Sequence, residues 1–134
     1  MSDSSDLMHQ LDVQLSHVWM VRTFLKHSDE AEDDDELALV HRRLYDFSLA
    51  LGSHLSADDA EGYLRQANKK WRRLREANEL FQEIQPEISN HTNFKMAAAS
   101  LNKAVTDIGK LLGKLDNQWI RARWPYIYIT EILL

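Results

Sequence analysis

Histidines and carboxylates are the side chains of this chain that could hold a catalytic metal. The sequence has six histidines and 21 acidic residues. A di-iron site in a helical bundle needs a Glu-x-x-His pair on each of two helices and further glutamates, all directed inward. The closest match is Asp6 with His9, and no second helix supplies a matching pair. Because the chain also lacks cysteine, thiolate ligands and disulfides are excluded, and the sequence predicts neither a metal site nor a cofactor.

Carboxylates are densest in residues 28–36, which contain seven acidic side chains. A calcium loop of the EF-hand type needs alternating oxygen ligands, a central glycine and a distal glutamate. This segment has no glycine. Since closely spaced like charges repel and oppose compaction, we predict a solvated acidic loop over residues 28–36.

Catalysis by a hydroxyl nucleophile needs a glycine-supported turn with an oxyanion hole, and nucleotide chemistry needs a glycine-rich phosphate loop. The sequence contains neither. One spacing that could carry catalysis joins Arg22 to His27, with four residues between them. This Arg-x4-His spacing resembles the ribonuclease signature of HEPN domains, which are themselves small helical bundles. The resemblance implies metal-independent RNA cleavage carried by Arg22 and His27, and this is the alternative function of the chain.

A cluster of basic side chains lies on the third predicted helix, where Arg65, Lys69, Arg72 and Arg73 share one face. Such a face could bind an anion such as phosphate. Acidic residues share it, however, and no aromatic side chains alternate with the cations as stacking platforms for bases. The chain carries a net charge of -5, so we do not expect nucleic acid as a partner.

These side chains must be positioned by helices. The clearest stripe runs from Phe94 to Ala122, where residues at alternating steps of three and four are all apolar. Ser2–Asp6 offers N-caps for a first helix that runs to about His27. A second spans roughly 35–51 and is ended by Gly52 at C′, with Ser56 capping the third. The third spans about 57–84 and stops before Pro86.

The first predicted helix is apolar on two faces, because Met20 and Phe24 lie roughly opposite its main stripe. A second apolar face suggests a second contact. The C-terminal tail, residues 124–134, is rich in β-branched and aromatic residues after Pro125, and its sequence fits either an extended segment or a short helix. Large apolar side chains make this tail a second candidate contact, with Trp124, Tyr126, Tyr128 and Ile129 as its partner-binding residues.

The sequence therefore predicts an all-α protein: four main helices in an antiparallel bundle, one domain over residues 1–134, with an apolar C-terminal tail. No apolar run approaches the ~20 residues of a membrane span, and the N-terminus has no basic region typical of a signal peptide, so we expect a cytoplasmic protein. The predicted function is that of a non-enzymatic interaction or assembly module that binds itself, as a dimer, or another protein.

Overall fold

A computed structural model describes residues 3–115 of the chain. Within that range the chain forms five helices and no strand, which confirms the predicted all-α bundle. The helices are α1 (Ser4–Lys26), α2 (Glu30–Asp33), α3 (Asp35–Ser56), α4 (Ala60–Ile88) and α5 (Thr92–Leu112). None of them has both the length and the hydropathy needed to cross a lipid bilayer.

The four long helices run alternately up and down, so that α1 packs on α3, α3 on α4, α4 on α5, and α5 back on α1. The α1–α5 pairing is fixed at one end by Phe24 and Phe94, whose rings meet edge to face with centroids 4.9 Å apart. Tyr63 joins the diagonally opposed helices α4 and α1. It is buried, and its hydroxyl donates a hydrogen bond of 2.9 Å to Asp12 of α1.

The predicted apolar stripes form the core. Each long helix buries its series of positions three and four apart, as expected for amphipathic helices around one core. The buried members are Leu7, Leu11, Leu15, Val18 and Leu25 on α1; Leu37, Val40, Leu44, Phe47 and Leu51 on α3; Leu64, Ala67, Leu74 and Phe81 on α4; and Phe94, Ala98, Leu101, Val105, Ile108 and Leu112 on α5. Trp71 lies between Ala67 and Leu74 at the same spacing on α4, but it is only partly buried.

A chain of side-chain amide hydrogen bonds joins α4 to α5 at the edge of this core. Asn78, the polar member of the α4 stripe, donates from Nδ2 to the side-chain oxygen of Asn102 at 2.9 Å. Gln82 donates from Nε2 to Asn78 Oδ1 at 3.0 Å and to the carbonyl of Ala98 at 2.8 Å. Asn78 is buried, Gln82 is partly buried and Asn102 is exposed. The hydrogen bonds to Gln82 and Asn102 therefore satisfy the buried amide and favour one register of the two helices.

The predicted boundary at Gly52 is wrong, because α3 continues through this glycine to Ser56. Gly52 does not adopt a positive φ, so it does not act as the left-handed cap that ends many helices. The left-handed conformation is found instead at Asp58, whose φ is 52°. The cap of the next helix is also different from the prediction: Asp59, rather than Ser56, accepts a hydrogen bond from the backbone N–H of Gly62.

The predicted stop before Pro86 is also wrong, since α4 runs through Pro86 to Ile88. Pro86 is exposed and lies in the last turn, where the loss of one N–H affects few remaining hydrogen bonds of the helix. Ile84 is buried and Ile88 partly buried against the core, so apolar contacts on both sides of the proline hold the turn in place.

The predicted acidic loop at residues 28–36 contains the short helix α2 and the start of α3. One of its carboxylates caps a helix: Asp34 Oδ1 accepts a hydrogen bond of 2.9 Å from the N–H of Leu37 at the start of α3. The last helix ends at Leu112, earlier than the stripe predicts. The rest of that stripe and the tail of residues 124–134 lie outside the described residues.

Candidate functional site

An apolar groove separates the outer surfaces of α1 and α3. It is an open depression of about 650 Å³, a volume within the range of pockets that take a small ligand or a few side chains. We call it the α1–α3 groove. It is lined by Asp12, Leu15, Ser16, Trp19 and Met20 of α1 and by Ser48, Leu49, Gly52, Ser53, Leu55 and Ser56 of α3.

Small residues create the space in the groove. A Cβ added to Gly52 would meet nothing within 4 Å. Two of the lining hydroxyls bond to their own helices: Ser16 donates to the carbonyl of Val13 at 2.6 Å, and Ser48 donates to that of Leu44 at 3.0 Å. Because these two hydroxyls are satisfied locally, they add little polar character to the apolar lining of the groove.

Two long apolar side chains on its edges stand largely in solvent. Met20 of α1 is 64% exposed and Leu49 of α3 is 62% exposed. Val13, at 61%, continues the apolar surface along α1 beyond the groove. Single exposed apolar residues are common, but apolar groups gathered along one groove are typical of a site that another segment covers.

An aromatic pair supported by a buried cation bounds one end of the groove. Trp19 of α1 and Tyr45 of α3 lie with ring centroids 6.2 Å apart. The guanidinium of Arg22 lies 3.9 Å from the centroid of the Trp19 ring and 5.5 Å from that of Tyr45. This stacking is a cation–π interaction, which is strongest where the cation is removed from water, and Arg22 is only 7% exposed. Trp19 is therefore held in position at the groove's end.

His41 of α3 lies near this cation. Its Nε2 atom is buried without a hydrogen-bond partner, as is the Nε of Arg22. Burial lowers the pKa of His41, and the positive charges of Arg22, Lys26 and Arg42 lower that pKa further. The imidazole is therefore favoured in its neutral form, which avoids a second positive charge beside the buried guanidinium.

The structure does not bring Arg22 and His27, the two residues of the HEPN-like spacing, together in one site. Arg22 is buried at the α1–α3 contact, where its Nη2 donates to the hydroxyl of Thr23 at 3.1 Å. His27 is exposed at the C-cap of α1. Within residues 3–115, no hydrogen bond of either side chain joins the two.

The predicted partner-binding residues are separated by the fold. Met20 lies on the α1–α3 groove, whereas Phe24 is partly buried against Phe94 on the α5 side of α1. Trp124, Tyr126, Tyr128 and Ile129 lie outside the described residues.

The predicted anion-binding residues Arg65, Lys69, Arg72 and Arg73 are all exposed on α4. Arg72 pairs with Glu76 through a contact of 3.3 Å, so part of this positive charge is balanced on the same helix.

Acidic side chains of α2 and α3 meet the end of α4 around a shallow depression of about 430 Å³, lined in part by Glu30, Asp33, Asp34 and Glu87. Across the part of the chain that the structure describes, histidines and carboxylates do not form a group of three that could hold a metal ion.

The pattern of the sequence does not predict the α3 side of the groove. Leu49 lies off the buried stripe, and a glycine such as Gly52 favours a helix end. The signal was nevertheless present: Ser48, Gly52 and Ser56 recur at intervals of four, which places small residues on one helical face. Such rows let another segment approach a helix closely, a packing best known from membrane helices.

No protein-family model, curated protein or solved structure matches this chain. The functional argument therefore depends on the geometry of the chain itself.

Proposed function

We propose that this chain is a non-enzymatic protein-interaction module whose α1–α3 groove receives an apolar segment of a partner protein. The observation that carries the proposal is the groove itself, with exposed Met20 and Leu49 at its edges and Gly52 leaving space between them. The partner is another protein or a second copy of this chain, as in the dimer expected from the sequence, and the expected compartment is the cytoplasm.

The chemistry of the lining supports binding rather than catalysis. Asp12 is the single acidic residue among those that line the groove, and no basic residue lines it. The carboxylate of Asp12 already accepts a hydrogen bond from the hydroxyl of Tyr63. Two of the lining serines donate to backbone carbonyls of their own helix. The groove also presents Ser53 and Ser56 to an incoming segment, but its main contribution is apolar area. Burial of that area contributes about 25 cal/mol per Å² before the costs of association.

Site-specific cross-linking in the native host tests the proposal. A photoreactive phenylalanine analogue is placed at Met20 and, as a control, at Leu39, which is 41% exposed on α3 outside the groove. We expect a discrete protein adduct from position 20, at least fivefold stronger than from position 39. An adduct of twice the chain's mass would identify a second copy as the partner.

A pair of glycine variants shows whether that adduct depends on the groove. Gly52→Leu fills the groove with a side chain, whereas Gly52→Ala adds only a methyl group at the same position. We expect the position-20 adduct to be lost with Gly52→Leu and kept with Gly52→Ala. Equal adducts at positions 20 and 39, or an adduct insensitive to Gly52→Leu, would contradict the proposal.

A further inference from the structure

A buried cation without an acidic partner lies at the Trp19 end of the α1–α3 groove. The side chain of Arg22 is only 7% exposed. Its one hydrogen bond within residues 3–115 runs from Nη2 to the hydroxyl of Thr23, and its Nε atom is buried with no partner. The ion pairs among the described residues do not include Arg22. Because a charge removed from water is normally paired with an opposite charge, this guanidinium lacks the partner that its burial requires.

The contacts that Arg22 does make offset only part of this cost. The centroid of the Trp19 ring lies 3.9 Å from its Cζ atom, and that of Tyr45 lies 5.5 Å away. An aromatic ring offsets positive charge through its face, but the N–H groups of a guanidinium still need acceptors at the edge of the plane. The hydroxyl of Thr23 accepts from one of these groups. The guanidinium therefore keeps donors for a further acceptor.

Positive charge and a second unpaired nitrogen surround the same point. His41 of α3 has a buried Nε2 atom without a partner, and the charges of Arg22, Lys26 and Arg42 act on its imidazole. These charges and burial lower the pKa of His41, and a neutral imidazole can carry its proton on Nε2 as a hydrogen-bond donor. A region of one sign of charge with a low dielectric constant attracts the opposite ion. The cluster therefore has the electrostatics of an anion site.

An anion can reach Arg22 by the motion of side chains alone. The two rings that contact the guanidinium extend to the surface, since Trp19 is 41% exposed and Tyr45 is 37% exposed. Exposed side chains change rotamer within picoseconds to nanoseconds. The backbones of α1 and α3 need not separate, because their contact is made by the buried stripes of the two helices.

We infer that Arg22 and His41 form a binding site for an oxyanion, a carboxylate or phosphate group, between α1 and α3. Arg22 supplies the charge and a fork of N–H donors that matches two oxygens of such a group. His41 supplies a further donor, and the exposed side chains of Lys26 and Arg42 attract the ion from solution. Neither Arg22 nor His41 is among the residues that line the α1–α3 groove, so the site does not depend on the proposed function.

A nitrogen-15 NMR titration of the purified full-length chain tests the site. Sodium phosphate and sodium acetate are added in separate titrations, and sodium chloride keeps the ionic strength constant. The reporter is the Nε–H signal of Arg22. The internal control is the Nε–H signal of Arg72, which contacts Glu76 on the exposed face of α4.

We expect the Arg22 signal to shift and saturate with at least one of the two ions, with a dissociation constant in the millimolar range or below. The Arg72 signal should not saturate. Tighter binding of acetate would identify a carboxylate as the natural ligand group, and tighter binding of phosphate would identify a phosphate group. If the Arg22 signal of the wild-type chain saturates with neither ion, the inference is overturned.

Substitutions to glutamine show whether the bound ion depends on this cluster, with backbone N–H signals around His41 as the reporter. Arg22→Gln should weaken binding of the preferred ion at least tenfold. Lys26→Gln, which removes an exposed charge and keeps the fold, should weaken it about two- to fivefold. Lys69→Gln makes the same change of charge at an exposed position of α4 and should leave the affinity unchanged. Equal weakening by the two lysine substitutions would reduce the effect to net charge and would also overturn the inference.

Discussion

The indole ring of Trp71 on α4 occupies the space where a side chain of Gly109 on α5 would begin. A Cβ added to Gly109 would lie 2.7 Å from Cζ2 of Trp71 and 2.8 Å from its Cη2. Gly109 of α5 and Gly113, the residue that follows this helix, therefore differ in role. Gly109 lets an aromatic side chain of the neighbouring helix approach, while a Cβ at Gly113 would meet backbone oxygens at an ordinary 3.4 Å.

This contact predicts opposite effects for the same substitution at two helical glycines. Gly52→Ala should raise the free energy of unfolding by about 1 kcal/mol, because alanine is the better helix former and the site is open. Gly109→Ala gains the same propensity but forces Trp71 to move, and overpacking typically costs about 1–3 kcal/mol. Urea denaturation should therefore separate the two variants by about 1–3 kcal/mol.

The Trp71 side chain provides the control for the glycine prediction. In a Trp71→Ala background the obstruction is gone, so Gly109→Ala should become stabilising, and the double-mutant cycle should show a coupling energy of at least about 1 kcal/mol. If Gly109→Ala is equally destabilising with and without Trp71, the indole ring is not the cause.

Much of the fold could be predicted because core burial follows the helical period. The stripes containing Leu44 and Ile108 are buried as their spacing predicts. Helix ends were harder, because Gly52 and Pro86 are signals with more than one structural meaning. A glycine ends a helix when it adopts a left-handed conformation, which Gly52 does not, and a proline in the last turn disturbs few hydrogen bonds.

The groove could be predicted only in part. Met20 was identified because it lies opposite the main stripe of α1, but its counterpart Leu49 comes from another helix. Which exposed side chains meet across two helices depends on their relative rotation, and one helix's periodicity does not contain that information. The position of Arg22 between Trp19 and Tyr45 depends on the same packing.

The centre of the α3 stripe should be among the most sensitive positions for stability. Leu44 is fully buried, so Leu44→Ala should lower the free energy of unfolding by ~2–5 kcal/mol, a large share of the ~5–15 kcal/mol typical of a small protein. Leu39→Ala, at a partly exposed position of the same helix, should cost less than about 1 kcal/mol. A denaturation midpoint that is unchanged by Leu44→Ala would mean that the core is assigned to the wrong face.

The acidic segment contributes to stability through one cap rather than through its charge. Asp34 accepts a hydrogen bond from the N–H of Leu37 at the start of α3. Replacing such an N-cap with alanine typically lowers the free energy of unfolding by about 0.5–2 kcal/mol. We therefore expect Asp34→Ala to lower the thermal midpoint, whereas Asp33→Ala, which removes an exposed neighbouring carboxylate, should leave it within the error of the measurement. Equal losses from the two substitutions would indicate an effect of total charge.

His41 should make the stability of the bundle sensitive to mild acid. Its pKa in the folded chain is lowered by burial and by the nearby charges of Arg22, Lys26 and Arg42, while a histidine in the unfolded chain titrates near ~6.5. Above that pH both states hold His41 neutral and its contribution is constant. As the pH falls below ~6.5, the unfolded chain takes up the proton first, so stability declines until the folded pKa is reached.

His41→Gln should therefore reduce the drop in urea midpoint between pH 7.5 and pH 5.5, and His17→Gln, at an exposed position of α1, should preserve it. A drop of the same size in the wild-type chain and in His41→Gln would show that other groups cause the acid sensitivity.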